Sequence, residues 1–264
     1  MPSRLSPARD ATVVSRPMSG HSKWSQIKRQ KGAADVKRGM IFTKMTKEIM
    51  IAAKEGGGDP DANFRLRLAM DRARTVNMPR DNIQRAIERA TGGGDGSALE
   101  SVVYEGYAPG GVSVMIEAAT DNRNRTVSEI RAAFTRGGGK LGESGSVQWL
   151  FEQKGVIEID TKGKDPDAIQ LAAIDAGAED VEVEPGLATV YTTPTSFERV
   201  KKALESAGVK TGAAELSMRP TTTVRVEGDA ARKLLGLVET LEDLDDVIKV
   251  HANFDVPEEV LQHA

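Results

Sequence analysis

Apolar positions in the first third of the chain recur at helical spacing. Ile41, Met45 and Ile49 stand four apart with Phe42 beside them, which marks one helix face, and Gly56-Gly57-Gly58 ends the run as C-terminal glycines do. Asp59-Pro60 then reads as an N-cap followed by proline at the first helical position. The helix it opens has an apolar face of Leu66, Met70 and Ala73 and ends near Asn77. Pro79 starts a third helix with Ile83 and Ile87 inward, and the run Gly92 to Ser97 is the clearest linker.

Past the linker the apolar period changes to two. Val102 to Tyr107 and Val112 to Ala118 read as strands around Pro109-Gly110-Gly111, and Asp121 as the cap of a helix reaching Arg136. A second unit follows the glycine-rich stretch 137–145. In it, Val147 to Phe151 and Val156 to Ile159 flank Gln153-Lys154-Gly155 as a hairpin, followed by a helix over about Pro166 to Ala176. The later chain repeats itself: strand Thr189 to Thr192, helix 196–207 and strand 214–218 parallel strand Thr223 to Glu227, helix 229–241 and strand 247–253. Pairing each early half with a late half predicts an α+β protein of three domains: an N-terminal helical bundle and two α/β sandwich-like domains, one inserted in the other. The expected boundaries are a basic helical domain with its linker over 18–97, an α/β domain of 98–140 plus 221–256, an inserted α/β domain over 141–220, and a tail over 257–264. Residues 1–17, with Pro, Ser and Arg but no apolar core, read as a disordered leader upstream of a true start at Met18; a short organellar targeting peptide is the alternative.

Charge divides the chain at the same linker. Residues 18–91 carry sixteen Lys/Arg against eight Asp/Glu, and residues 92–264 carry seventeen against thirty, a split hidden within a net charge of −3. A basic module tethered to an acidic body is the pattern of a protein that docks on polyanions through one part. The chain has no cysteine, so it has no disulfide framework, thiolate nucleophile or Cys-based zinc site, in keeping with a reducing cytoplasm. No apolar stretch approaches the ~20 residues that span a bilayer, so no membrane partner is expected.

The cations concentrate around one aromatic. Lys23, Trp24, Lys28, Arg29 and Lys31, continued by Lys37, Arg38 and Lys44, form the candidate nucleic-acid contact, with lysine and arginine pairing phosphates. Trp24 either stacks on an exposed base or anchors the segment to a core. Arg65, Arg67, Arg72 and Arg74 fall in pairs seven apart, and Arg85 and Arg89 four apart. Each set either extends the basic surface or forms ion pairs with acids such as Asp71, Asp81 and Glu88. The short join Val76 to Pro79 permits a helix-turn-helix reading with Asn82, Arg85 and Arg89 in a groove. Arg123 and Arg125, at a strand-to-helix turn, form a weaker second patch where an anion could meet free backbone N–H groups; the plain alternative is a helix cap with two exposed arginines.

Other constellations carry less. Gly137 to Gly142 matches G-x-G-x-x-G in letters, but it follows a helix and leads toward a strand, the reverse of a dinucleotide loop, and reads as a flexible hinge. Glu239, Glu242, Asp243, Asp245 and Asp246 lack the glycine and alternation of a calcium loop and read as a solvated helix end. His21, His251 and His263 are too scattered for zinc, and no G-x-S-x-G elbow is present. No catalytic residue, cofactor or metal is therefore expected.

The ordered runs GHSKWSQIK, KRGMIFTK, GGGDPDAN, NMPRDNIQRAI, YEGYAPGGV, TDNRNRT and GSVQWLFEQKGVI, spread from Met18 to Phe254, closely resemble the YebC/PmpR family. The resemblance implies a helical domain followed by two α/β domains and a non-enzymatic regulator of gene expression. Members have been described as DNA-binding transcriptional regulators and as ribosome-associated translation factors, related to mitochondrial translational activators, that help synthesis through consecutive prolines. The expected partner is thus DNA or ribosomal RNA on the ribosome, with a possible protein partner on the acidic α/β domains. The family brings no established catalytic residues.

Overall fold

The computed structural model describes residue 24 and residues 35–92, 98–163, 165–257 and 260, with the backbone alone for residues 35–38. The leader, Met18, most of the linker and most of the tail lie outside this set. The fold is α+β. Helices α1 (Asp35–Gly56), α2 (Phe64–Thr75) and α3 (Arg80–Thr91) form a helical unit. Ile49, Leu66, Ala73, Ile83 and Ile87 are buried together, so the stripes seen in the sequence do pack face to face. Helix α2 begins at Phe64, later than Asp59-Pro60 suggests. The true cap is Asn63, whose Oδ1 accepts from Leu66 N at 3.0 Å while its amide donates to the carbonyls of Ala52 and Gly57 at 2.7 Å each. Asp59 instead closes a turn, accepting from Asp61 N at 2.9 Å.

The next elements are β1 (Glu100–Ala108), β2 (Val112–Thr120), α4 (Arg123–Arg136) and β3 (Lys140–Leu141). Then come β4 (Phe151–Asp160), α5 (Pro166–Asp175), β5 (Asp180–Glu184), β6 (Leu187–Thr192), α6 (Phe197–Ser206) and β7 (Thr211–Pro220). The chain closes with β8 (Val224–Arg225), α7 (Gly228–Glu242), β9 (Val247–Ala252) and β10 (Phe254–Asp255). One antiparallel sheet has the order β3-β1-β2-β9 and the other β5-β6-β4-β7; β8 and β10 form a short parallel pair. The first sheet takes strands from both sides of residues 151–220, while the second lies wholly within them. Helices α4 and α7 cover one face of the first sheet, burying Val114, Ile116, Ile130, Phe134, Leu234 and Val238. Helices α5 and α6 cover the second around Ile157, Ile159, Val190, Phe197 and Leu204.

The expected hairpin around Gln153-Lys154-Gly155 is replaced by one continuous strand. Residues Phe151 to Asp160 pair with β6 on one side and β7 on the other, and Leu150 closes a 3-10 turn before them. Gly155 is needed there for close approach: a Cβ would fall inside the ring of Phe197 and the hydroxyl of Thr192. The glycines at 137–139 are likewise a packed stop rather than a loose hinge. Gly137 N donates to Ala133 O at 2.9 Å and Gly139 N to Phe134 O at 2.8 Å, and a Cβ on Gly139 would lie 2.6 Å from Tyr107 O.

The units are locked to one another through α2. Leu68 enters the core of the second sheet, Phe64 meets Phe197 edge-on with ring centroids 5.7 Å apart, and Arg72 bridges Glu48 on α1 (3.0 Å) and Glu215 on β7 (3.5 Å). Lys249 on β9 also reaches Glu215, at 3.2 Å, and donates to Leu216 O at 2.9 Å. Three units therefore converge on one glutamate.

Candidate nucleic-acid interface

The basic module is sorted by the structure into cations that hold the fold and cations that face outward. Lys23, Lys28, Arg29 and Lys31 lie outside the described residues, as do the side chains of Lys37 and Arg38, whose backbone belongs to the first turn of α1.

Trp24, which is helical, takes the anchoring role rather than the base-stacking one, and so leaves the set of candidate nucleic-acid contacts. It is 4% exposed and packs in the core beneath the first sheet, with Val226, Leu235 and Phe254 in the same cluster. A ring in that position cannot stack on a base without leaving the core, so it anchors the N-terminal segment to the sheet unit. Its Nε1 finds no acceptor among the described residues.

Lys44 is corrected in the same way. Its ammonium donates to the carbonyl oxygens of Leu244 (2.9 Å), Val247 (2.7 Å) and Glu242, the last turn of α7 and the loop beyond it. One helical turn later Lys47 donates to Asp245 O at 3.0 Å and to Asp246 Oδ1 at 2.6 Å. Lys44 thus sits at a helix C-terminus, where the orphan carbonyls and the dipole favour positive charge, and Lys47 holds the loop that follows. The spacing of Lys44 and Lys47 on one face of α1 was the signal for this role.

The turn before α4 is an anion site whose anion is supplied by the chain itself. Asn122 caps the helix, accepting from Arg125 N at 3.1 Å. The carboxylate of Asp246 then accepts from Arg125 Nη2 (2.7 Å), Thr126 Oγ1 (2.7 Å) and Thr120 Oγ1 (3.3 Å), besides Lys47. Asp246 is 2% exposed, not part of a solvated helix end. Burial pushes its carboxyl up, but the bonds from Lys47, Arg125 and Thr126 outweigh that and hold it at about 2. Arg125 also pairs Asp121 at 2.9 Å, and Arg123 pairs Glu100 at 2.5 Å. The proposed second patch is thus a helix cap whose arginines already have carboxylate partners; Arg123 nonetheless remains well exposed.

The arginines of α2 all have internal partners: Arg65 with Glu55, Arg67 with Pro60 O (2.8 Å) and Glu198 (3.9 Å), Arg72 as above, and Arg74 with Asp71 (2.7 Å). Those of α3 differ. Arg80, Arg85 and Arg89 are exposed and form no ion pair among the described residues; Arg85 bonds only Asp81 O (3.1 Å) and the side chain of Asn82. Ile83, Ala86, Ile87 and Ala90 turn the opposite face of α3 inward. The result is one amphipathic helix whose exposed side carries Arg85 and Arg89 together, beside Asp81 and Glu88. Arg80, the first helical residue after Pro79, stands apart from these two, since nine residues place it about half a turn around the helix from Arg89.

Among the described residues, no group of three or more His, Asp or Glu is placed to hold a metal ion, and no helix is long and apolar enough to cross a membrane. Residues 22–93 match the TACO1/YebC protein N-terminal domain and residues 99–254 the TACO1/YebC second and third domain. A probable transcriptional regulatory protein of Trichlorobacter lovleyi is 56% identical over 239 residues, covering 90% of this chain and 96% of its own length. One from Roseiflexus castenholzii is 54% identical over 250 residues, covering 93% and 98%. The crystal structure of a conserved hypothetical protein from Aquifex aeolicus superposes with a TM-score of 0.80 at 46% identity, over 86% of this chain and 94% of that one. With family models spanning both the helical unit and the sheet units, the chain belongs to the TACO1/YebC family, whose relatives carry the name of regulatory proteins.

Proposed function

We propose that this chain is a non-enzymatic regulator of gene expression that binds nucleic acid in the cytoplasm through its basic N-terminal module. The observation that carries the reading is that Arg80, Arg85 and Arg89 are exposed and without a carboxylate partner among the described residues, while the arginines of α2 are spent internally. Lys23, Lys28, Arg29, Lys31, Lys37 and Arg38 supply further phosphate contacts, and the acidic sheet units keep bulk nucleic acid off the body and face protein partners. The names of the relatives favour DNA as the target, read by α3 after its short turn from α2.

A second reading is favoured by the position of α2. In a helix-turn-helix the first helix crosses the DNA backbone, but here α2 is wedged between α1 and β7 and gives Arg72 to Glu48 and Glu215. One exposed helix face suits ribosomal RNA, so the alternative is a ribosome-binding translation factor that relieves stalling at sequences such as polyproline. Sedimentation of a lysate through a sucrose gradient, with Lys28, Lys31 and Lys37 changed together to Glu beside the wild type, separates the two. Comigration of the wild type alone with ribosomal particles selects the translation factor; both proteins staying at the top returns the weight to promoter DNA.

A further inference from the structure

The loop between β3 and β4 is a fixed shelf against the outer face of β1. Glu105, 2% exposed, accepts from the backbone N–H groups of Gly145 (2.6 Å), Val147 (2.6 Å) and Gln148 (2.9 Å). Burial pushes its carboxyl up, but these three bonds prevail and hold it below the usual carboxylate range, so the anchor stays ionised. On this shelf one carbonyl oxygen, that of Ser146, accepts both the Trp149 indole N–H (3.1 Å) and the Tyr107 hydroxyl (3.3 Å). Both side chains are thereby tied to the same carbonyl, yet Trp149 is 72% exposed and Tyr107 41%.

A tryptophan this exposed usually has its polar edge in water. Here the N–H is already bonded to the chain's own backbone, so what Trp149 offers to a partner is its face. Lys140 pairs with Tyr107 in register across β3 and β1, is exposed, and forms no ion pair among the described residues. Fixed, face-presenting aromatics beside a free ammonium match the two parts of an unpaired nucleotide, a flat base and a phosphate. We propose that Trp149 and Tyr107 form a stacking platform for an unpaired base of single-stranded RNA, with Lys140 receiving its phosphate. The platform rests on the reading that the protein binds nucleic acid, but its residues belong to the acidic half of the chain rather than to the basic module. The stacking part of its contribution, carried by Trp149, is nearly independent of salt.

The test is a fluorescence titration of the full chain with an oligoadenylate of about twelve nucleotides, a length that spans a typical single-strand site. Trp24 is buried, so quenching of the emission reports Trp149. Stacking predicts quenching on binding and a loss of roughly 5- to 100-fold in affinity for Trp149→Ala, partly restored in Trp149→Phe, with the salt slope unchanged. The Lys28/Lys31/Lys37→Glu variant lowers the salt slope instead. Binding without quenching, with Trp149→Ala equal to wild type, overturns the platform and leaves the nucleic-acid reading standing. Failure of the wild type to bind oligoadenylate while duplex DNA binds overturns the platform alone. Failure to bind either polymer at low salt overturns both.

Discussion

Asp246 shows how one carboxylate can decide the meaning of several cations. Lys47 on α1, Arg125 on α4 and Thr126 all converge on it, so the helical unit and the first sheet share a buried ionic node. Removing the acid leaves two cations without their partner, and Asp246→Ala is expected to cost about 2 to 3 kcal/mol at neutral pH, measured by urea denaturation. The pH dependence has a definite sign. An unfolded aspartate titrates near ~3.9, whereas the folded carboxyl is held at about 2. The stability it contributes is therefore complete above the unfolded value and is lost as pH falls through about 2. The difference between wild type and Asp246→Asn should shrink over that window; a constant difference from pH 5 to pH 2 contradicts the assignment. Trp24 carries the second prediction at this scale. As a core residue, Trp24→Ala should cost about 3 to 5 kcal/mol, whereas a residue used only for stacking would alter binding and leave the melting curve unchanged. The sequence left Trp24 between two roles and gave no sign of the role of Asp246. A lone Trp among lysines fits stacking and anchoring alike, and an acid between β9 and a helix end looks solvated until the distant Lys47 is brought to it.

At the scale of elements, periodicity recovered what depends on one face of one segment. The stripes on α1 and α3, the strands β1 and β2, and the helices α4, α6 and α7 stand where their apolar spacing put them, to within a few residues. Errors fell where glycine or an Asx residue has two physical uses. Gln153-Lys154-Gly155 has the composition of a turn, yet Gly155 is mid-strand because Phe197 lies against its backbone. Gly155→Ala should accordingly destabilise the fold by about 3 kcal/mol through overpacking, seen as a lower denaturation midpoint; a turn glycine in an open hairpin would show no such loss. Asp59-Pro60 has the letters of a helix start, but Asn63 wins because its side chain satisfies three backbone groups at once. The strand β5 went unread because Asp180 to Glu184 alternates acids with valines in a segment too short to stand out. Its place is set by pairing with β6.

For the whole molecule, the charge split is the feature most relevant to function, and the structure sharpens it. Charge counting treats every cation south of the linker alike. Folding spends Lys44, Lys47, Lys54 and the arginines of α2 on carbonyls and carboxylates, and it leaves the exposed arginines of α3 without carboxylate partners among the described residues. Changing Arg80, Arg85 and Arg89 to Glu should therefore weaken nucleic-acid binding while changing stability by no more than about 0.5 kcal/mol per substitution, as exposed substitutions usually do. Changing Arg72 should do the reverse, since Arg72 joins Glu48 to Glu215. Family membership rested on motif order along the chain, which sequence carries well. The division of labour among cations required three-dimensional contacts between segments up to 203 residues apart.

The central claim is that phosphate neutralisation by the N-terminal module drives binding, and the salt dependence of affinity tests it most directly. Affinity for a duplex DNA and for a ribosomal RNA fragment would be measured over a range of salt for the wild type and for the Lys28/Lys31/Lys37→Glu variant. The account predicts a steep dependence for the wild type and, for duplex DNA, a slope of log affinity against log salt reduced by about 2 to 3 in the variant, one counterion release per lost phosphate contact. Equal affinities and parallel slopes for the two proteins on both polymers would contradict it.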